Sequence, residues 1–219
     1  MALSRPSPRS RTRSEPSVAE QVQAAVPFVG LTGGMGSGKS TALEALRRLG
    51  AEVLSSDAVV HELYEGRQLR DAVVARFGAE VAPGGVVDRA AVAERAFGSA
   101  QERAWLEGQV WPLVGARVQE WLEHARAMRP APRAAVVEVP LLFEAGLDEL
   151  YDATIAVVAD ESVRRSRADA RGHALVDERV ARQLPQEEKA RRATFVVRND
   201  GSREDLEREL SAVLVKLGR

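Results

Sequence analysis

Residues 28–50, FVGLTGGMGSGKSTALEALRRLG, constrain the fold more than any other part of the chain. An apolar run enters a glycine-rich turn, and a helical pattern leaves it. Residues 33–40, GGMGSGKS, fit the spacing G-x-x-x-x-G-K-[ST], and a strand before it with a helix after it is the context that gives this spacing its meaning. Gly34, Gly36 and Gly38 let the backbone turn so that successive N–H groups, those of Met35 and Ser37 among them, converge on phosphate oxygens. The helix starting near Lys39 adds the positive end of its dipole. Lys39 is expected on the β- and γ-phosphates, Ser40 on Mg²⁺, and Thr41 on a further phosphate oxygen. The loop is built to hold a nucleoside triphosphate; what receives its phosphate must be sought elsewhere in the chain.

Five runs read as strands: 28–32, 51–55, 134–139, 153–158 and 194–198. Each is nearly continuous in apolar character rather than alternating, as strands covered on both faces should be. Leu43, Leu46 and Leu49 recur at threes in the first helix, and Gly50 can end it. Strands alternating with helices imply right-handed crossovers and a parallel α/β sheet. Residues 58–133 are too long for a single crossover and carry several amphipathic patterns, so they read as a helical insertion. Residues 1–26 are rich in Ser, Pro and Arg, cannot bury enough surface to offset their ordering entropy, and are expected to form a disordered tail. Their composition also resembles an organelle transit peptide, without a clear amphipathic helix.

Composition closes several routes. A formal net charge of −1 supplies no field to gather nucleic acid or anionic membrane. The absence of cysteine excludes disulfides, thiolate metal sites and cysteine nucleophiles. No apolar run approaches the roughly 20 residues that cross a bilayer. A cytoplasmic protein with no nucleic-acid or membrane partner is expected, as a monomer or weak homo-oligomer. GTPases select guanine with N-K-x-D, whereas the only asparagine here is Asn199, in RNDG. The small-molecule kinases remain: they place an acceptor over the same sheet edge and close a basic lid on the triphosphate.

Asp57 lies just past the second strand and Glu138 near the end of the third. In a parallel sheet both project from the carboxyl edge, where the phosphate loop opens. A hydroxyl acceptor needs a group that orients it and takes its proton. Taken alone, Asp57 reads as a helix N-cap or turn residue ahead of a base, and Glu138 as either a ligand of Mg²⁺-bound water or a loop cap. Residues 161–172, ESVRRSRADARG, present Arg167 and Arg171 four apart on one helical face. They fit a triphosphate clamp, and fit equally a solvated basic face paired with Asp169, Asp177 and Glu178.

Taken together, these segments resemble the dephospho-CoA kinase family. LTGGMGSGKST matches its opening, LSSDAVVHELY its second strand and helix, and VDRAAV and VWPLV its insertion. EVPLLFEAGL follows the third strand, and Gln183 with RNDG closes the pattern. The resemblance implies an α/β P-loop NTPase three-layer sandwich with a five-stranded parallel sheet, a helical acceptor-binding insertion and a helical lid. The kinase domain would span 27–219, with a core of 27–57, 134–160 and 193–219, the insertion at 58–133 and the lid at 161–192. It further implies ATP-dependent phosphorylation of the ribose 3′-hydroxyl of dephospho-CoA, the last step of coenzyme A synthesis. Asp57 then takes the general-base position, Arg167 and Arg171 the lid positions, and Asn199 and Gly201 the adenine cradle. His61, Arg89, Pro140, Leu141, Leu142 and Glu144 would line the acceptor side, and Ser40 and Glu138 would serve the metal. Three residues depart from the family pattern: Ser55 for Asp, Glu138 for Asp, and Trp111 for His. Trp111 is expected to be a core aromatic. The spacing of Phe77 and Trp105 likewise favours core, as does that of Phe143.

Overall fold

The apolar run ahead of the glycine turn forms β1 (Phe28–Gly33), and the four other runs form β2 (Glu52–Ser55), β3 (Ala135–Glu138), β4 (Ala153–Val158) and β5 (Phe195–Arg198). They make one parallel sheet in the order β2-β3-β1-β4-β5. The structure, a computed structural model, describes residues 26–169 and 183–218. Most of the expected tail and Arg171 fall outside those residues. Val26, assigned to the tail by composition, is instead buried with Leu122, Ala125 and Ala135.

Among the described residues the α-helices are α1 (Lys39–Arg48), α2 (Ser56–Glu65), α3 (Arg67–Phe77), α4 (Arg89–Phe97), α5 (Ala100–Ala127), α6 (Glu161–Asp169), α7 (Gln186–Arg192) and α8 (Arg203–Leu217). Capping fixes several of their starts. Asp88 accepts from the Ala90 and Ala91 N–H groups, Ser99 from that of Glu102, and Ser202 with Asp205 forms a reciprocal capping box. Leu43 and Leu46 of α1 meet Leu206, Leu210 and Leu214 of α8 against Val29, Leu31 and Ile155 of the sheet. Fully burying each such aliphatic chain is worth about 1.5–3 kcal/mol.

A second core lies within α3, α4 and α5. Leu69, Val73, Phe77, Val92, Ala96 and Val110 are buried there, with Trp105 edge-on to Phe77 at 5.3 Å. Phe77 and Trp105 are therefore core residues, as their spacing suggests, and Phe143 is also buried. Trp111 is not. It stands on α5 beside Pro112 with 56% of its surface exposed, because Val110 takes the inward position and the next residue turns away from the core. Among the described residues no helix is long and apolar enough to cross a membrane.

Candidate active site

Strand register assembles the site. Glu138, the last residue of β3, pairs with Leu31 of β1 on one side and Ser55 of β2 on the other. Ser55 Oγ donates to Glu138 Oε2 at 3.0 Å. That hydroxyl sits at the N-cap of α2 yet caps nothing, since Glu138 holds it. Asp57 is consequently a first-turn residue rather than the cap. Its side chain is exposed at the positive end of the helix.

The phosphate loop is closed by Ser37 N–H donating to Gly34 O at 3.2 Å. Gly36 and Gly38, at φ 73° and 91°, occupy the left-handed region that favours glycine. Space is equally restrictive: a Cβ on Gly36 would lie 2.4 Å from the Arg164 carbonyl oxygen, and one on Gly38 2.0 Å from Asn199 Nδ2. Ser37 Oγ is buried without a hydrogen-bond partner, a donor that a phosphate oxygen would satisfy. Ser40 is exposed and Thr41 half-buried on the first turn of α1.

Lys39 opens α1 and folds back over the loop, its Nζ donating to Gly33 O at 3.0 Å and Gly34 O at 3.2 Å. Burial lowers its pKa; Glu138 and Asp57 pull it up, while Lys189 and Arg164 push it down. Glu138 is raised, chiefly by burial, against the opposing effects of Lys39 and Ser55 and with a further push from Asp57. Lys39 and Glu138 therefore act on each other's charge, and both feel that of Asp57.

The basic face of α6 lies against this loop. Arg164 Nε donates to Met35 O at 2.9 Å, and Arg167 Nη1 to Asn199 O at 3.0 Å. Asn199 is itself buried and donates from Nδ2 to Ser37 O at 2.8 Å. Arg167 thus reaches the loop through Asn199, and Arg164, three residues earlier on the same face, reaches it directly. Asn199, expected beside an adenine, holds the loop backbone with its side chain, while Gly201 is exposed.

The expected acceptor-side residues are spread more widely. Pro140 and Leu141 are half-buried just beyond β3. Leu142 is fully buried, its Cδ1 2.4 Å from where a Cβ on Gly30 would stand. Glu144 Oε1 pairs with Lys189 Nζ at 2.9 Å. His61 is half-exposed, with Nε2 3.8 Å from Glu65 Oε1, and Arg89 is exposed at the first residue of α4. Sequence reasoning overlooked Lys189 and gave no separate role to Arg164. The available signal was composition: Lys39, Lys189 and Lys216 are the only lysines among 31 basic residues.

Among the described residues no three His, Asp or Glu side chains converge as a metal cage. Mg²⁺ needs none, since it keeps several waters and takes one or two protein ligands plus phosphate oxygens. The Ser40 hydroxyl and Glu138 carboxylate fit that donor set. Glu138 also carries a testable cost. Because burial outweighs its attraction to Lys39, its folded pKa lies above the unfolded value, and its contribution to stability is lost as pH rises through the folded pKa. Glu138→Gln, which keeps an acceptor for Ser55, is expected to match or exceed the parent melting temperature at pH 7 without ligands while losing turnover; calorimetry and an activity assay on the same preparation check both.

The family model that matches this chain, over residues 27–205, is that of dephospho-CoA kinase. The chain is 41% identical over 194 residues to the dephospho-CoA kinase of Anaeromyxobacter dehalogenans, covering 86% of this chain and 91% of that one. It is likewise 41% identical over 192 residues to that of Deinococcus radiodurans, with coverage of 86% and 91%. The crystal structure of TT1252 from Thermus thermophilus superposes with a TM-score of 0.73 at 38% identity, over 88% of this chain and 98% of that one.

Proposed function

Since this chain belongs to the dephospho-CoA kinase family, the enzymes of the last step of coenzyme A biosynthesis, we propose a direct in-line transfer of the ATP γ-phosphoryl group to the ribose 3′-hydroxyl of dephospho-CoA. Asp57 orients that hydroxyl and takes its proton as the new bond forms. Lys39, Arg164 and Arg167 face the charge that spreads over the moving phosphoryl group, and Arg171, four residues beyond Arg167, is assigned to the same clamp. Ser40 and Glu138 would hold Mg²⁺, directly or through its waters, and the ion would supply charge neutralisation for the phosphates. The helix carrying Arg164 and Arg167 keeps water from the loop, which protects ATP from hydrolysis. No side chain is assigned a covalent intermediate.

The observation carrying this reading is the placement of Glu138 at the end of β3 and Asp57 just past β2, on the carboxyl edge beside the β1 strand that runs into the Lys39 loop. Incubation with ATP and dephospho-CoA, followed by mass spectrometry, tests it. A product heavier by one phosphoryl group, together with ADP, is the expected result. ADP formed without a phosphorylated acceptor would contradict it.

A further inference from the structure

A buried lysine stands outside the chemistry described above. Lys189 of α7 is 0% exposed. Its Nζ donates to Pro140 O at 2.7 Å, pairs with Glu144 Oε1 at 2.9 Å and lies 3.5 Å from Thr32 Oγ1. Glu144 Oε1 also accepts the Leu184 N–H at 2.7 Å, and Thr32 Oγ1 donates to Pro140 O at 3.3 Å. An apolar side chain would fill such a site at a lower desolvation cost. The retained charge therefore asks what it holds.

It holds three pieces of the site. Thr32 immediately precedes Gly33, whose carbonyl accepts from Lys39. Pro140 lies two residues past Glu138 and opens the segment running to Glu144. Leu184 leads into α7, whose first residue, Gln186, clasps both the N–H and the carbonyl of Ala159 just before α6. One ammonium, carried by the helix tied to the base of α6, thus touches the strand that ends in the phosphate loop and the segment beyond β3.

We propose that Lys189 is a positioning residue for phosphoryl transfer: its buried ammonium locks the nucleotide loop, the segment after β3 and the base of the arginine helix into one frame, setting the donor against the acceptor. It touches neither reacting group. The Lys189 charge is also one of those felt by Lys39, consistent with their proximity. The inference rests on the transfer reading given above.

Lys189→Met alone leaves the Glu144 carboxylate buried and unpaired and is expected to destabilise the fold. The informative variant is the double substitution Lys189→Met with Glu144→Gln, which removes both charges. In a folded double variant, kcat is expected to fall roughly 10- to 100-fold, as misplacement of reacting groups by about an ångström would produce. The dissociation constant of ATP, measured alone, should stay within about threefold of the parent if groups are misplaced rather than lost. Parent-level kcat in the folded double variant would overturn the proposal, since a merely structural pair can be replaced without kinetic effect.

Hydrogen exchange on the unaltered protein decides the matter if the double variant does not fold. A non-hydrolysable ATP analogue should slow exchange together in the phosphate loop, in residues 140–147 and in residues 184–189. Slowing confined to the loop would reject the shared frame. Absence of turnover in the unaltered protein would instead remove the transfer reading itself.

Discussion

Asp57→Asn is expected to lower turnover by roughly 10²–10⁴-fold, the usual contribution of a positioned proton acceptor, while ATP affinity stays close to the parent value. The substitution preserves size and leaves an oxygen for the acceptor hydroxyl, but it removes the basic site and the negative charge. Its structural cost is small. Asp57 sits exposed in the first turn of α2, where a carboxylate at a helix N-terminus is worth about 0.3–1 kcal/mol. The loop is shaped by Gly36, Gly38, Asn199 and Arg164, and none of the contacts described between them passes through Asp57. Steady-state kinetics beside direct measurement of ATP binding separates the two effects. A turnover near the parent value would exclude Asp57 as the base.

Lys39→Ala is expected to lower kcat by about 10²–10³-fold, comparable to deleting a charge-stabilising donor from another active site, and to raise KM for ATP. Folding should suffer far less. The ammonium is desolvated, so removing it relieves a burial cost even as Gly33 and Gly34 lose a donor. The same desolvation predicts a pH effect. Lys39 has a folded pKa below 10.5, the unfolded value. Its contribution to stability is therefore full above the unfolded pKa and is lost as pH falls through the folded one. Its catalytic charge runs the other way and disappears as pH rises through the folded pKa. The profile of kcat/KM, which reports the free enzyme, should accordingly turn down below 10.5. A profile that stays flat beyond that pH would show that this ammonium is not needed in transfer.

The sheet was legible because its central strands β1, β3 and β4 are buried on both faces, and such strands announce themselves as unbroken apolar runs; the edge strand β5 is half open, with Val196 and Arg198 exposed, yet the observed bounds of all five differ from those read in sequence by at most a residue at either end. The phosphate loop was legible because its geometry tolerates few residues other than glycine. Less legible was α5. It runs through Pro112 for 28 residues, and a proline normally signals a break. Trp111 was misplaced for a related reason. Aromatic character alone favours the interior, whereas exposure depends on which side of the helix Val110 presents to the core. Glu138 could be found from its strand end, but its link to Ser55 required the β2–β3 register.

Lys189 was invisible to pattern reading. PQEEKARR looks like an exposed charged helix, and only contacts with residues more than 40 positions away put this lysine in the interior. Asn199 stood out as the sole asparagine, yet its bond to Ser37 spans 162 positions and follows from the fold. Local chemistry therefore pointed to the loop and the two carboxylates, while the contacts that surround them emerged from long-range packing.

The most direct test is a crystal structure with dephospho-CoA and a non-hydrolysable ATP analogue bound together. The expected outcome is a ribose 3′-hydroxyl about 2.6–3.2 Å from an Asp57 carboxylate oxygen, facing the γ-phosphorus in line with its leaving oxygen, with Lys39 on the β- and γ-phosphates. An acceptor hydroxyl turned away from Asp57 towards another side chain, or a triphosphate bound outside the 33–41 loop, would contradict the account.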